Sequence, residues 1–370
     1  MRVIAFVVAC AFASPVTFAQ PAKKKLIEFG WDEPDTAFLR KHIAEMEKTP
    51  FDGTVFHLMF KADDGTMQNY VWHTWGTRRF SESDFQQAID DLRNTPLKKF
   101  THNFLRFNTT PANIDWFDDA AFAAITSNAR LAANIARDGK AAGILFDIEQ
   151  YNEQLFNHAK QRDAKTKSFD DYAAQARKRG REVMTAFQEG FPNLHIILTF
   201  GHTLPHMQAG GDKAKLAQVD YGLAAPFLDG LFDAATGKAK IVDGFEISYG
   251  YKDPKQFDEV PVTIKNSVTK FVGDPAKFER HSSLGFGLWM DYDWRNKAWD
   301  EQDFSKNHFS PADFETSVRK ALNVADDYVW IYTETPRWWT PNNGKPEKLP
   351  APYVDALNRA RNSTSNSGAR

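Results

Sequence analysis

Eight short apolar segments recur along the chain, and a segment with helical spacing or a long loop separates each from the next. The predicted strands are 25–32, 53–60, 99–108, 141–151, 194–203, 242–251, 283–291 and 327–335. Strands that alternate with helices favour a parallel sheet covered by helices, and eight such units over about 340 residues are typical of a closed (β/α)8 barrel. We therefore predict an α/β fold with a single (β/α)8 barrel, with long loops after the strands and no internal domain boundary.

The two ends of the chain differ from this central part. Arg2 precedes an apolar run, 3–13, and a small-x-small exit at Thr17-Phe18-Ala19 follows, which is typical of a signal peptide over 1–19. The run is too short to span a bilayer. We expect a barrel over 20–362, a disordered tail over 363–370, and a secreted or periplasmic protein. The only cysteine, Cys10, lies in the signal segment, so the mature chain is expected to have no disulfide and no thiol nucleophile.

Charge and aromatic content narrow the class of ligand. The net charge of -2 provides no electrostatic reason to expect nucleic acid or an anionic membrane as a partner. Aromatic residues make up 14% of the chain, with 10 Trp, and indole rings in loops suit the C–H faces of sugars. The alternative for any one of them is a place in the core. The candidate ring platforms are Trp31, Trp72, Trp75, Trp116, Trp289, Trp294, Trp338 and Trp339.

The fourth predicted strand, 141–151, ends in two carboxylates, Asp147 and Glu149. Because side chains alternate along a strand, Leu145, Asp147 and Glu149 share one face. Two acids packed against apolar helices would lose their hydration without compensation, so they must face a polar cavity. Other strand ends supply more acids, at Asp32, Glu246, Asp291 and Glu334. In a (β/α)8 barrel these ends surround the active site.

Acids and aromatic rings around a barrel mouth suit the cleavage of a glycosidic bond, which needs a carboxylic acid and a second carboxylate. Glu149 is the predicted acid. Asp147 could raise the pKa of Glu149 or orient substrate, or it could form an internal ion pair with Arg106. Glu334 and Glu246 are favoured over Asp291 as the second carboxylate. The predicted substrate-binding residues are Trp31, Asp32, Arg106, Asn108, His202, Tyr249, Trp289, Asp291, Trp330, Tyr332 and Trp338.

In layout the chain resembles the (β/α)8 glycoside hydrolases over nearly its whole mature length. In several clans of that superfamily the acid/base follows strand four, as Glu149 does, and the nucleophile follows strand seven, where this chain has Asp291. The segment 142–149 also resembles the chitinase-type motif D-G-x-D-x-D-x-E. Gly143, Asp147 and Glu149 match it, whereas Ala142 and Leu145 replace its first two aspartates. The resemblance implies a glycoside hydrolase but does not single out one family.

That family's strand-six tyrosine could correspond to Tyr249, although Gly250 replaces the Asp expected after it, and its strand-eight tryptophan could correspond to Trp330. Substrate-assisted cleavage of N-acetylated sugars stays an open possibility.

Two other functions stay open at this point. A metal-dependent barrel hydrolase could use Asp32, His202, Glu246 and Asp291, although such sites usually contain more His at strand ends. A non-catalytic carbohydrate-binding barrel would use the same aromatic rings, with the acids only binding hydroxyls. We predict a glycoside hydrolase acting on a poly- or oligosaccharide, with neither metal nor cofactor.

Overall fold

A computed structural model describes residues 24–339 and 349–365, with side chains described up to residue 362. The predicted signal peptide lies outside these ranges. Residues 363–365 continue the last helix, and the rest of the predicted tail is also outside the described part. The proposed boundaries at residues 19 and 362 therefore stay predictions.

Parallel strands form the main sheet, and their order closes it into a barrel. The strands are β1 Lys25–Glu28, β2 Gly53–Phe56, β3 Met59–Lys61, β4 Met67–Asn69, β5 Phe104–Asn108, β6 Gly143–Asp147, β7 His195–Leu198, β8 Lys240–Asp243, β9 Ser282–Leu284, β10 Phe286–Trp289 and β11 Tyr328–Tyr332. The order is β10-β11-β1-β2-β5-β6-β7-β8-β9, and β3 and β4 form a separate antiparallel hairpin. Only Gly285 separates β9 from β10, so the two ends of the sheet are one continuous segment that pairs with β8 and β11. The (β/α)8 barrel is confirmed, and each of the eight predicted segments contains or overlaps a barrel strand.

Helices follow most of the barrel strands. They are α1 Thr36–Met46, α2 Gln86–Asn94, α3 Asp119–Asp138, α4 Phe169–Gly190, α5 Thr203–Gln208, α6 Ala224–Ala234, α7 Pro254–Thr263, α8 Thr269–Phe271, α9 Pro275–His281, α10 Trp294–Lys297, α11 Pro311–Val324 and α12 Ala351–Ser365. Local chemistry sets their starts: Ser168 and Asp171 form a capping box on α4, and Ser310 caps α11 ahead of Pro311. No helix in the described ranges has the length and apolar character needed to cross a membrane.

Two apolar layers flank the barrel strands, and alternation decides which side chain enters which. One buried cluster fills the barrel interior and includes Ile27, Phe104, Leu145 and Trp330. A larger cluster, which includes Phe146, packs between the strands and the helices. Leu145 thus faces inward, and Asp147 and Glu149 follow it on the same side, as the alternation predicts.

The sixth predicted strand, 242–251, is the element that the sequence places wrongly. The strand β8 ends at Asp243, Phe245 has a left-handed backbone with φ of 47°, and Glu246–Gly250 form a 3-10 turn. The cause is the Asp243 carboxylate, which accepts hydrogen bonds from the Phe245 amide at 3.0 Å and from Gly201 in the β7 loop at 2.9 Å. Glu246 therefore reaches the barrel mouth from a turn, not from the face of a strand.

Candidate active site

A cavity of about 550 Å³ opens at the carboxyl ends of the barrel strands. Four carboxylate side chains line it, from Glu33, Glu149, Glu246 and Glu334, and aromatic rings form much of the remaining wall. The structure brings eight of the predicted site residues onto this wall. They are Trp31, Arg106, Glu149, Glu246, Tyr249, Trp289, Tyr332 and Glu334.

Glu149 and Glu246 form a carboxyl pair in this cavity. Their side chains are close enough to share a proton. Burial raises the pKa of Glu149, and the neighbouring Asp147 charge raises it further. Burial likewise raises the pKa of Glu246 well above its usual value, and the Glu149 charge adds to this. A buried pair of like charges holds a proton that isolated glutamates would release near pH 4.

Asp147 lies behind this pair and not on the cavity wall. Its side chain is fully buried and accepts hydrogen bonds from Arg106 Nη2 at 2.7 Å and from the Tyr151 hydroxyl at 2.9 Å. Its other oxygen accepts from the Glu149 amide at 3.0 Å. The ion pair with Arg106, one of the two alternatives for this residue, is present. Asp147 therefore acts on Glu149 through its charge and through the backbone.

Glu33 is a cavity residue that the sequence analysis missed. Its carboxylate accepts from Arg106 Nη1 at 2.9 Å and contacts His57 Nδ1 at 3.0 Å. Burial raises its pKa, but the Arg106 charge and the His57 contact outweigh that effect, so the pKa is lowered overall. The predicted strand ran to Asp32, whereas β1 ends at Glu28 and a turn follows. That turn carries Glu33 to the cavity, and the sequence offers no local signal for it.

Glu334, which follows β11, is held by several donors. It accepts hydrogen bonds from the Tyr332 hydroxyl at 3.0 Å, from Trp294 Nε1 at 2.8 Å and from Arg295 Nη2 at 2.6 Å. The Glu334 amide donates to Asp291 at 3.1 Å. Glu334 is thus an ion-paired carboxylate whose position is set from both its side chain and its backbone.

Asp291 lies behind Glu334, outside the cavity lining. It also accepts from the Thr335 amide and from Trp289 Nε1, both at 2.8 Å. Burial raises its pKa to about 6, in spite of these donors. Asp291, the acid predicted at the end of the seventh strand, therefore lies among backbone amides. Its hydrogen bonds hold the loop that carries Glu334.

Two further polar residues predicted for the site lie outside the cavity. The Asp32 carboxylate accepts from the amides of Trp338 and Trp339, the latter at 2.8 Å. Asn108 is buried and accepts from Arg106 Nε at 3.0 Å. Both side chains hold the wall in place from behind.

His202, Trp330 and Trp338 also lie away from the cavity lining. His202 Nε2 contacts the Asp229 carboxylate at 2.9 Å, away from the carboxyl pair. Trp330 belongs to the barrel interior, where its Nε1 donates to the Gly244 carbonyl at 2.8 Å. The Trp338 ring packs edge-on against Phe51 with centroids 4.7 Å apart. Their predicted contacts with substrate are not available in this arrangement.

The candidate ring platforms separate into surface and core residues. Trp31 is 53% exposed and Trp72 is 44% exposed, and both line the cavity. Trp72 meets the Tyr151 ring edge-on at 5.6 Å. In contrast, Trp75 and Trp116 are fully buried and pack in the outer apolar layer. Exposed indoles beside a polar cavity are the feature expected of a sugar-binding cleft.

The described residues contain no group of three or more His, Cys, Asp or Glu side chains placed to hold a metal ion. Two of the four residues considered for such a site are engaged elsewhere. His202 contacts Asp229, and Asp32 accepts from the Trp339 amide.

Comparisons with known proteins found similar architectures at very low sequence identity. A scan against protein-family models and a search of curated proteins found no match. Among solved structures, a trimodular GH5_4 subfamily endoglucanase has a TM-score of 0.48 at 10% identity, covering 92% of this chain and 60% of that one. A β-mannanase from the blue mussel Mytilus edulis has 0.43 at 10%, covering 93% and 92%.

The tri-modular endo-β-1,4-glucanase B from Bacillus halodurans has a TM-score of 0.49 at 9% identity, covering 92% of this chain and 60% of that one. This chain thus spans 60% of the length of both trimodular proteins. At this level of similarity the comparisons carry no argument about activity, which has to come from the side chains of the cavity.

Proposed function

We propose that this protein is a glycoside hydrolase that acts on a poly- or oligosaccharide, with Glu149 as the general acid. The observation that carries the proposal is the carboxyl pair of Glu149 and Glu246 in a cavity walled by exposed tryptophans. Protonating a glycosidic oxygen needs a carboxylic acid that keeps its proton near neutral pH, and burial with a neighbouring charge provides one.

Either carboxyl of the pair can carry the shared proton, since burial raises the pKa of both, and the acid role belongs to the state in which Glu149 carries it. With the proton on Glu149, the negative charge of the pair stays on Glu246. Glu149 gives its proton to the leaving oxygen as the bond to the anomeric carbon breaks, and Glu246 faces the positive charge that develops there. Water adds its hydroxyl group to the anomeric carbon, and its remaining proton returns to the pair. One glycosidic bond and one water are consumed for each new reducing end.

The other acids of the site are ion-paired, which suits them to positioning neighbouring groups and not to transferring a proton. Asp147 and Glu33 are ion-paired with Arg106, and Glu334 is ion-paired with Arg295. For Glu33, burial raises the pKa, but the Arg106 charge and the His57 contact lower it overall and favour the ionised carboxylate. The exposed rings of Trp31 and Trp72 are placed to stack on sugar units.

The direct test is hydrolysis of a broad polysaccharide panel by the purified protein from Gln20 onward, with Glu149→Gln beside it. We expect reducing ends from the wild type and a loss of at least ~100-fold in kcat for the variant, with binding retained. Glu153→Gln, which removes an exposed carboxylate from a separate groove, is the matched control and should keep full activity. Equal activity of Glu149→Gln and wild type would remove Glu149 from the acid role.

A non-catalytic carbohydrate-binding barrel is the second candidate, favoured by the same exposed indoles. It predicts glycan binding by the wild type and no new reducing ends from any substrate. The same experiment separates the two functions, because a binding barrel would show no turnover either as the wild type or as Glu149→Gln.

We also propose that the protein is exported, as the signal-like segment before Gln20 suggests. Expression of the full chain in a bacterial host, followed by N-terminal sequencing of the exported product, tests this. A mature N-terminus at Gln20 is expected. Retention in the cytoplasm with residues 1–19 still attached would contradict it.

A further inference from the structure

A histidine on the cavity wall, His57, presents a polar atom that the chain itself does not use. His57 directly follows β2, and its imidazole lines the cavity. Its Nδ1 lies 3.0 Å from Glu33 Oε1. The other ring nitrogen, Nε2, makes no hydrogen bond within the described ranges, yet it is not sealed from solvent, and the side chain is 15% exposed. His57 therefore offers Nε2 to whatever enters the cavity.

The neighbouring carboxylate sets the chemical character of that atom. Burial raises the pKa of Glu33, but the Arg106 charge and the His57 contact lower it overall, so Glu33 is ionised at neutral pH and can only accept hydrogen bonds. The hydrogen of the His57 ring must then lie on Nδ1, where Glu33 accepts it. In the neutral imidazole, Nε2 keeps its lone pair and can accept a hydrogen bond from a ligand.

Asn69, at the end of the hairpin that follows, presents the complementary group. Its Oδ1 accepts from the backbone amide two residues further on at 3.0 Å, so its Nδ2 is left as a donor that no group in the described part of the chain accepts. The Tyr70 amide donates to the Leu58 carbonyl at 2.9 Å, which returns the hairpin to the residue next to His57. Both side chains, an acceptor and a donor, thus line the same part of the cavity wall.

The Trp72 ring, three residues after Asn69, lies beside this pair of polar groups. It is 44% exposed and lines the same cavity. It meets the Tyr151 ring edge-on with centroids 5.6 Å apart, and the Tyr151 hydroxyl donates to Asp147, which also accepts from the Glu149 amide. These contacts link the indole to the loop that carries Glu149.

An exposed ring with one acceptor and one donor beside it matches a pyranose unit, which has an apolar C–H face and hydroxyl groups around its edge. We propose that Trp72, His57 and Asn69 form a subsite for one uncharged pyranose unit of the glycan, next to the bond that is cleaved. One hydroxyl donates to His57 Nε2, another accepts from Asn69 Nδ2, and the sugar face lies on the indole. The inference rests on the proposed function and makes it more specific, because the substrate must then extend from the carboxyl pair towards the hairpin β3–β4.

Two substitutions of His57 separate sugar binding from the support of Glu33. In His57→Asn the amide nitrogen takes the place of Nδ1 and can still donate to Glu33, but nothing replaces Nε2. In His57→Gln the terminal amide reaches the position of Nε2 and can accept from a hydroxyl, but the donor to Glu33 is lost. A sugar contact at Nε2 predicts weaker binding by His57→Asn than by His57→Gln, whereas a purely structural role through Glu33 predicts the reverse order.

Binding is measured by titration calorimetry in the Glu149→Gln background, with the β-1,4-linked hexamers of glucose, mannose and xylose as probes. For the hexamer that binds most tightly, we expect His57→Asn to raise Kd about 3- to 10-fold and His57→Gln to stay within about 2-fold, as the loss of one hydrogen bond implies. Asn69→Asp keeps the acceptor for the backbone amide, loses the donor and should also raise Kd about 3- to 10-fold. His42→Asn on α1, where the ring packs on Phe38 outside the cavity lining, is the matched control and should leave Kd unchanged.

The outcomes distinguish the subsite from the hydrolase. An unchanged Kd in His57→Asn, weaker binding by His57→Gln than by His57→Asn, or no binding of any hexamer would overturn the subsite. Cleavage of a hexamer by the wild type, with Kd unchanged in both His57 variants, would overturn the subsite and leave the hydrolase. The expected order of affinities without cleavage by the wild type would support the subsite and overturn the hydrolase.

Discussion

Truncation of Arg106 should be among the most destabilising changes of a charged residue in this protein. The guanidinium holds two buried carboxylates, Asp147 at 2.7 Å and Glu33 at 2.9 Å, and the side chain of Asp147 is fully buried. Removing one partner from a buried ion pair costs about 3–5 kcal/mol, because the remaining charge is left without compensation. We expect Arg106→Ala to lower the free energy of unfolding by about this amount at pH 7.

The matched control is Arg130→Ala on the surface of α3. Arg130 Nε donates to Glu189 at 2.6 Å, so the contact is as short, but both side chains are about half exposed. Exposed pairs contribute about 0.2–1 kcal/mol. Urea unfolding of both variants and the wild type, at a common m-value, measures the difference. Should Arg106→Ala fail to fold, Arg106→Lys keeps the charge, loses the planar fork and is expected to fall between the two.

The effect should also depend on pH in a defined direction. Arg106 lowers the pKa of Glu33 in the folded protein, so this pair contributes stability that is present above the unfolded pKa and lost as the pH falls through the folded one. The penalty of Arg106→Ala is therefore complete at pH 7 and smaller below about pH 4, where free carboxylates take up protons. An Arg106→Ala penalty equal to that of Arg130→Ala, or unchanged across this range, would refute the reasoning.

Four other substitutions separate proton chemistry, sugar stacking and stability. Asp147→Asn should move the alkaline limb of the kcat/KM pH profile to lower pH, because the Asp147 charge helps to raise the pKa of Glu149; an unmoved limb would contradict this. Trp72→Ala should raise KM for polysaccharide about 2- to 10-fold with little change in Tm, whereas the buried Trp116→Ala should cost about 3–5 kcal/mol of stability in urea. Glu246→Gln should raise the unfolding free energy by about 1 kcal/mol at neutral pH, and the gain should vanish in acid. The stability gain follows because burial raises the pKa of Glu246. Ionising this carboxyl at neutral pH therefore costs the folded protein stability, and in acid the carboxyl is protonated and the cost disappears.

The barrel could be predicted from the sequence because its strands are buried on both sides. Segments such as 141–151 are apolar on both faces and end abruptly in polar residues, and this pattern is local. The end of β8 could not be predicted in the same way. There Asp243 accepts hydrogen bonds from Gly201 and from Thr203, which lie about forty residues earlier, and those partners are brought near only by the closed barrel.

The position of a site residue could be predicted where its side chain continues the inward and outward alternation of a strand. Glu149 and Glu334 reach the cavity because they continue the inward faces of β6 and β11. Asp32 was predicted for the site by extending that alternation beyond β1, but β1 ends at Glu28, and the Asp32 carboxylate accepts from the amides of Trp338 and Trp339 instead. Glu33 takes its place through a turn, and no periodic pattern describes a turn of that kind.

The two arginines determine which acids of the cavity can move a proton. Arg106 and Arg295 are ion-paired with Glu33 and Glu334. Burial raises the pKa of Glu33, but the Arg106 charge and the His57 contact outweigh this and lower it overall. Glu149 and Glu246 receive no hydrogen bond from either guanidinium. Burial and the Asp147 charge raise the pKa of Glu149, and burial and the Glu149 charge raise the pKa of Glu246. The same carboxylate chemistry thus yields ion-paired carboxylates beside a pair that shares a proton.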